Sequence, residues 1–111
     1  MPNIIITGKN YKLSPTIKQF VTDKMSKLYR MKNLRISETK VELDFDTNQH
    51  SGQIYRVEIS VILPGKILKA GAKAYSMQEA INLSLPKIIE QVTKYKDTFL
   101  SRKKGHHQRE L

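Results

Sequence analysis

The chain has 111 residues, 39% hydrophobic and 27% charged, enough for one domain with one modest core. No apolar run approaches the roughly 20 residues of a membrane span, the N-terminus does not read as a secretory signal, and the absence of cysteine excludes disulfides and thiolate metal sites. Twenty Lys and Arg against ten Asp and Glu give a net charge of +10, the balance of a domain that meets a polyanion.

The charge is segregated. Residues 9–35 carry a net +7, residues 36–62 a net −3 and residues 63–111 a net +6. Solubility alone gives no reason for such division, whereas one nucleic-acid face does.

In chain order, Asn3 to Thr7 is a run of β-branched residues that predicts a short strand, ended by Gly8. Ser14 then stands as an N-cap ahead of Pro15, which suits the first helical position because its missing N–H would be unpaired there anyway. Ile17, Phe20, Val21, Met25 and Leu28 recur at helical spacing, so the first helix is expected from Pro15 to about Tyr29.

The middle of the chain is β. Val41, Leu43 and Phe45 alternate with Lys40, Glu42 and Asp44. After a polar connection, Tyr55, Val57, Ile59, Val61 and Leu63 alternate with Arg56, Glu58 and Ser60. Pro64-Gly65 marks a turn, and a third strand follows from Ile67 to Ala74, with Leu68, Ala70, Ala72 and Ala74 on one face. Those alanines leave room for a helix to approach closely. The opposite face of the sheet, with Lys40, Glu42, Asp44, Arg56, Glu58, Ser60, Lys69 and Lys73, reads as solvated mixed charge.

Ser76-Met77-Gln78-Glu79 matches a capping box and opens a second helix. Its apolar stripe runs through Ala80, Ile81, Leu85, Ile88, Val92, Tyr95 and Phe99. Pro86 lies inside it and predicts a kink or a locally broken ladder. Residues 1–100 then form one domain, and residues 101–111 (SRKKGHHQREL) a basic tail without apolar pattern, expected to be disordered when free.

The order is β-α-β-β-β-α, an α+β class in which two helices cover one face of a four-stranded sheet.

Catalytic chemistry is hard to find. His50 lies in a loop and His106-His107 in the tail, where neighbouring histidines lack a preorganised metal cage. Glu42 and Asp44 share a strand face but read as solvated charges. The glycines form no phosphate-binding loop. No cofactor, metal, membrane or small-molecule substrate is expected, and the chain reads as a non-enzyme.

Basic residues on the helices are the constellation that remains. Lys18 and Lys27 flank the first helix's apolar stripe on opposite sides, while Lys24 falls inside it and must snorkel or sit where the stripe leaves the core. Lys87, Gln91 and Lys94 make one row on a flank of the second helix, with Lys96 on the other. Arg30 extends the first helix's charge. The five tyrosines are scattered, with no paired aromatics on a strand, so phosphate contacts rather than base stacking are expected.

Over residues 3–100 the chain resembles the short ribosome hibernation-promoting factors and ribosome-associated translation inhibitors of bacteria. The resemblance rests on Ile5-Ile6-Thr7-Gly8-Lys9-Asn10, Leu13 through Val21, Lys24 with Lys27-Leu28, Ala72-Lys73-Ala74, Met77 with Ala80-Ile81, and Lys87, Gln91, Lys94 and Lys96. It departs from the family's pattern at Ser76, Gln78, Glu79, Pro86 and Glu90, the last standing where an arginine is usual. The resemblance implies a fold similar to a double-stranded-RNA-binding domain. It implies a cytoplasmic protein, a monomer when free, that binds small-subunit ribosomal RNA, occupies the mRNA and tRNA cleft and silences translation in dormancy or stress. It also gives Lys24 a role at the RNA. The RNA-binding residues expected are Lys18, Lys24, Lys27, Arg30, Lys87, Gln91, Lys94 and Lys96. Two other readings of the residues are a general double-stranded-RNA or RNA-chaperone module and a regulatory adaptor for an acidic protein.

Overall fold

The computed structural model describes residues 3–31, 34–48 and 52–109, with side chains described as far as Thr98. Its elements are β1 (Ile4–Lys9), α1 (Pro15–Met25), β2 (Glu38–Phe45), β3 (Tyr55–Leu63), β4 (Lys66–Ala74) and α2 (Met77–Arg109). The β-α-β-β-β-α order and the α+β class are those read from the sequence. The sheet order is β1-β2-β3-β4, with β1 parallel to β2 and the other two pairs antiparallel. A parallel pair needs a crossover, and α1 supplies it.

Strand alternation decides which face is covered. Val41, Leu43, Val57, Ile59, Val61 and Leu68 point to the helices and are buried. They meet Ile17, Val21, Met25 and Leu28 from the first helical segment, and Ile81, Leu85, Ile88 and Val92 from α2. Each fully buried aliphatic side chain contributes about 1.5–3 kcal/mol relative to exposure. α2 packs over β4 and β3, where Ala74 and Ala80 are fully buried and permit close approach. Two of the buried polar side chains find hydrogen bonds: Thr39 shares one of 2.8 Å with the Tyr29 hydroxyl, and Ser84 donates to the Ile81 carbonyl at 3.0 Å.

Four details differ from the sequence reading. First, β1 does not end at Gly8 but runs through Lys9. Gly8 lies inside the strand because the chain doubles back over it: a Cβ there would sit 2.2 Å from the Tyr11 carbonyl oxygen. The reversal falls on Asn10, at φ 56°, a left-handed conformation that asparagine tolerates. Second, α1 stops at Met25 and tightens into a 3-10 helix over Ser26–Arg30. The Ser26 hydroxyl donates to the Thr22 carbonyl at 2.7 Å, a bond that competes with the ladder at this point.

Third, Asp44 is not a solvated charge: it is only 5% exposed and pairs with Arg56 directly across the strands. Fourth, α2 continues past Pro86 to Arg109, about 50 Å at 1.5 Å per residue, with the ladder broken at one bond only. The proline removes one bond, to the Asn82 carbonyl, but Asn82 and Pro86 are both on the exposed side, so water can satisfy that carbonyl. The helical backbone also passes through Ser101–Arg109, where the sequence shows no apolar period. Lys, Arg and Gln there have good helix propensity, and extending an existing helix needs no new nucleus. Glu110 and Leu111, and the loop histidine His50, lie outside the described residues.

Candidate nucleic-acid interface

Each helix is placed by a local device. At the start of α1 the Ser14 hydroxyl accepts the Ile17 N–H at 3.2 Å, with Pro15 in the first turn. At the start of α2 the Ser76 hydroxyl accepts the Glu79 N–H at 3.2 Å, and Glu79 accepts from the Tyr75 N–H at 3.0 Å. This is the capping box read from the sequence, with its return bond displaced by one residue. Tyr29 donates to the Asn3 carbonyl at 3.1 Å and so ties the 3-10 segment, which carries Lys27 and Arg30, to the start of β1.

The eight predicted residues do not form one continuous patch. Lys87 donates to the Gly71 carbonyl at 3.1 Å and Gln91 to the Lys69 carbonyl at 2.6 Å, so their flank of α2 lies along the free edge of β4. Lys94 follows on the same flank and is ion-paired to Glu90 at 3.1 Å. The opposite flank of α2, carrying Ile89 and Lys96, therefore faces α1. On α1, steps of 100° put Phe20, Lys24 and Lys27 on the flank toward α2 and Lys18 on the flank toward β1.

Lys24, Lys27 and Lys96 thus lie on the helix flanks that border the seam between α1 and α2. Lys18 lies to one side and Lys87, Gln91 and Lys94 to the other. Arg30 lies exposed at the end of the 3-10 segment.

Lys24 is partly buried, its ammonium 5.3 Å from the centre of the Phe20 ring. The stripe position that looks anomalous in the sequence is met by snorkelling, with a cation–π contact worth about 0.5–1 kcal/mol. Lys18, Lys27 and Arg30 are exposed, and among the described residues no carboxylate pairs with them. Their charge is available to a partner. Lys94's charge is partly offset by Glu90 in an exposed pair one helical turn away.

The outer face of the sheet holds a different arrangement. Lys9, Asp44, Arg56 and Lys73 form a row across the four strands, and Glu42 faces Glu58 in the row beside it. Gly71 completes that second row without a side chain, leaving a shallow depression of about 410 Å³. The Arg56 hydrogen bond holds the Asp44 carboxyl below its ordinary pKa against the opposing effect of burial, with smaller help from the Phe45 backbone and Asn10. Asp44 in turn raises the Arg56 pKa. Tyr11 is pushed up by burial and by Tyr55, whose ring it meets edge-on at 6.4 Å.

Among the described residues no three His, Asp or Glu side chains gather as metal ligands, and no helix is long and apolar enough to cross a membrane.

Sequence reasoning found the charged helix flanks but not the edge contacts of Lys87 and Gln91. Their four-residue spacing on a helix that follows a three-lysine strand is the one signal that points there.

A two-layer α+β domain with unpaired cations on one helical layer defines a class of small basic binding modules. Comparison with known proteins narrows that class: the profile of the Sigma 54 modulation protein / S30EA ribosomal protein family matches residues 4–99, and the chain belongs to that family. It is 29% identical over 92 residues to the ribosome hibernation promoting factor of Escherichia coli K12, covering 83% of this chain and 90% of that one. It is 24% identical over 98 residues to the ribosome hibernation promotion factor of Deinococcus radiodurans, covering 88% of this chain but 51% of that one, about half its length. Among solved structures, a ribosomal subunit interface protein from Coxiella burnetii superposes with a TM-score of 0.70 at 26% identity, covering 86% of this chain and 98% of that one. The N-terminal domain of Thermus thermophilus Protein Y gives 0.71 at 23% identity, covering 86% and 99%, and shows the shared fold.

Proposed function

We propose that this protein binds the small ribosomal subunit through ribosomal RNA, occupies the cleft used by mRNA and tRNA, and silences translation in the cytoplasm without catalysing a reaction. Family membership and the names of the relatives support the ribosome as target. The observation that carries the RNA part is the set of exposed cations on the first helical segment, Lys18, Lys27 and Arg30, which have no carboxylate partner among the described residues. Lys24 adds a fourth, held over Phe20. Such contacts bind by counterion release, so affinity falls steeply as salt rises.

Co-sedimentation of the full chain with small subunits across a salt series tests this. Binding that weakens with salt, and is lost in Lys24→Glu plus Lys87→Glu, is expected. Normal binding by that double variant would remove the helical layer from the interface. Equal affinity for arbitrary duplex RNA would favour a general double-stranded-RNA module, and capture of an acidic protein that survives nuclease would favour an adaptor.

A further inference from the structure

The free edge of β4 is altered by the helix beside it. In an antiparallel ladder, N–H and C=O of alternate residues point together away from the neighbouring strand. On β4 the residues that point off the sheet include Lys69 and Gly71, since their carbonyls are reached from α2. Gln91 and Lys87 thereby take up two acceptors of this edge. Four helical residues advance about 6 Å and two strand residues about 6.8 Å, so the two rows keep step. By the same alternation the N–H groups of Lys69, Gly71 and Lys73 also point outward, and no hydrogen bond to them is found among the described residues. The edge is left richer in donors than in acceptors.

Charge adds to this. β4 reads KILKAGAKA, with three lysines and no acid. Lys66, Lys69 and Lys73 are all exposed, and among the described residues no carboxylate pairs with them. Lys69 and Lys73 share the outer face about 13 Å apart. On the neighbouring strand Glu58 stands opposite Gly71, and on α2 Glu90 pairs with Lys94.

We propose that this edge is a second phosphate-binding strip for RNA, with Lys69, Lys73 and the outward N–H groups as contacts and Gln91 and Lys87 as positioning residues that cap the carbonyls. It rests on the RNA-binding reading above and widens the interface from the helices to the sheet edge.

The test is the slope of log affinity against log salt for the full chain, measured both with small subunits and with ribosomal RNA stripped of protein. Each lost phosphate contact lowers the slope by about 0.7–0.9. Lys69→Gln plus Lys73→Gln is expected to lower it by about 1.4–1.8 on both targets, with an unchanged melting temperature. Lys18→Gln plus Lys27→Gln serves as the control for the helical interface. An unchanged slope for the β4 pair beside a reduced slope for the α1 pair overturns the strip and leaves the RNA reading standing. An effect of the β4 pair on intact subunits alone makes the partner of this edge a protein and overturns it as well. A wild-type chain that binds neither target overturns both readings.

Discussion

Replacing Arg56 with methionine leaves Asp44 buried without its main partner. Asp44 is 5% exposed, Arg56 is its ion-pair partner, and among the described residues its second oxygen, Oδ1, has no hydrogen-bond partner. Breaking a fully buried pair costs roughly 3–5 kcal/mol, and breaking an exposed one less than about 1 kcal/mol. This pair lies between those limits, because the Arg56 side chain is 46% exposed while that of Asp44 is 7% exposed. A loss of about 2 kcal/mol is therefore expected, or about 10 °C in Tm for a domain of this size. Methionine keeps most of the apolar stem, so the loss reports the charge.

The pH dependence identifies the cause. In the parent protein the folded pKa of Asp44 lies below the ordinary aspartate value. Its stabilisation is complete above about pH 5 and is lost as pH falls through the folded pKa. In Arg56→Met, burial without its main partner pushes the Asp44 pKa up, so protonation relieves the variant as pH falls. Thermal unfolding followed by circular dichroism should show a large Tm deficit at pH 7 that shrinks toward pH 3. A deficit under about 1 °C at pH 7, or an equal deficit at both pH values, would refute the reasoning.

Gly8→Ala should destabilise the fold by about 2 kcal/mol or more, since its Cβ would meet the Tyr11 backbone oxygen at 2.2 Å, a loss measurable by urea unfolding. Lys87→Met plus Gln91→Met frees two carbonyls on the β4 edge. Exposed hydrogen bonds lost to water should cost about 1 kcal/mol or less, but the uncovered edge should pair with a second copy, seen as dimer in sedimentation velocity. We propose that residues 101–111 are a tail independent of the core. Truncation after Leu100 should then leave Tm within about 2 °C while reducing the helical signal per molecule.

Much of the architecture is local and therefore legible in sequence. Strand alternation in Val41–Phe45 and Tyr55–Leu63 assigns the buried face, and Ser14-Pro15 and Ser76 to Glu79 announce both helix starts. What escapes is set by distant partners. Gly8 looks like a terminator, because nothing local reveals that the Tyr11 carbonyl returns over it. Asp44 looks like one more outward charge, because its cover comes from Arg56 on the next strand. The candidate site divides in the same way. Helical spacing separates the Lys24 flank from the Lys18 flank, but the β4 edge under Lys87 and Gln91 becomes visible only when α2 is laid along it.

The central claim is that the helical layer meets ribosomal RNA in the mRNA and tRNA cleft of the small subunit. A structure of the full chain bound to the small subunit tests it most directly. The account predicts the domain between head and body, with Lys18, Lys24, Lys27 and Arg30 within contact distance of RNA phosphates. A domain seated outside the cleft, or one whose helical layer faces away from RNA, would contradict it.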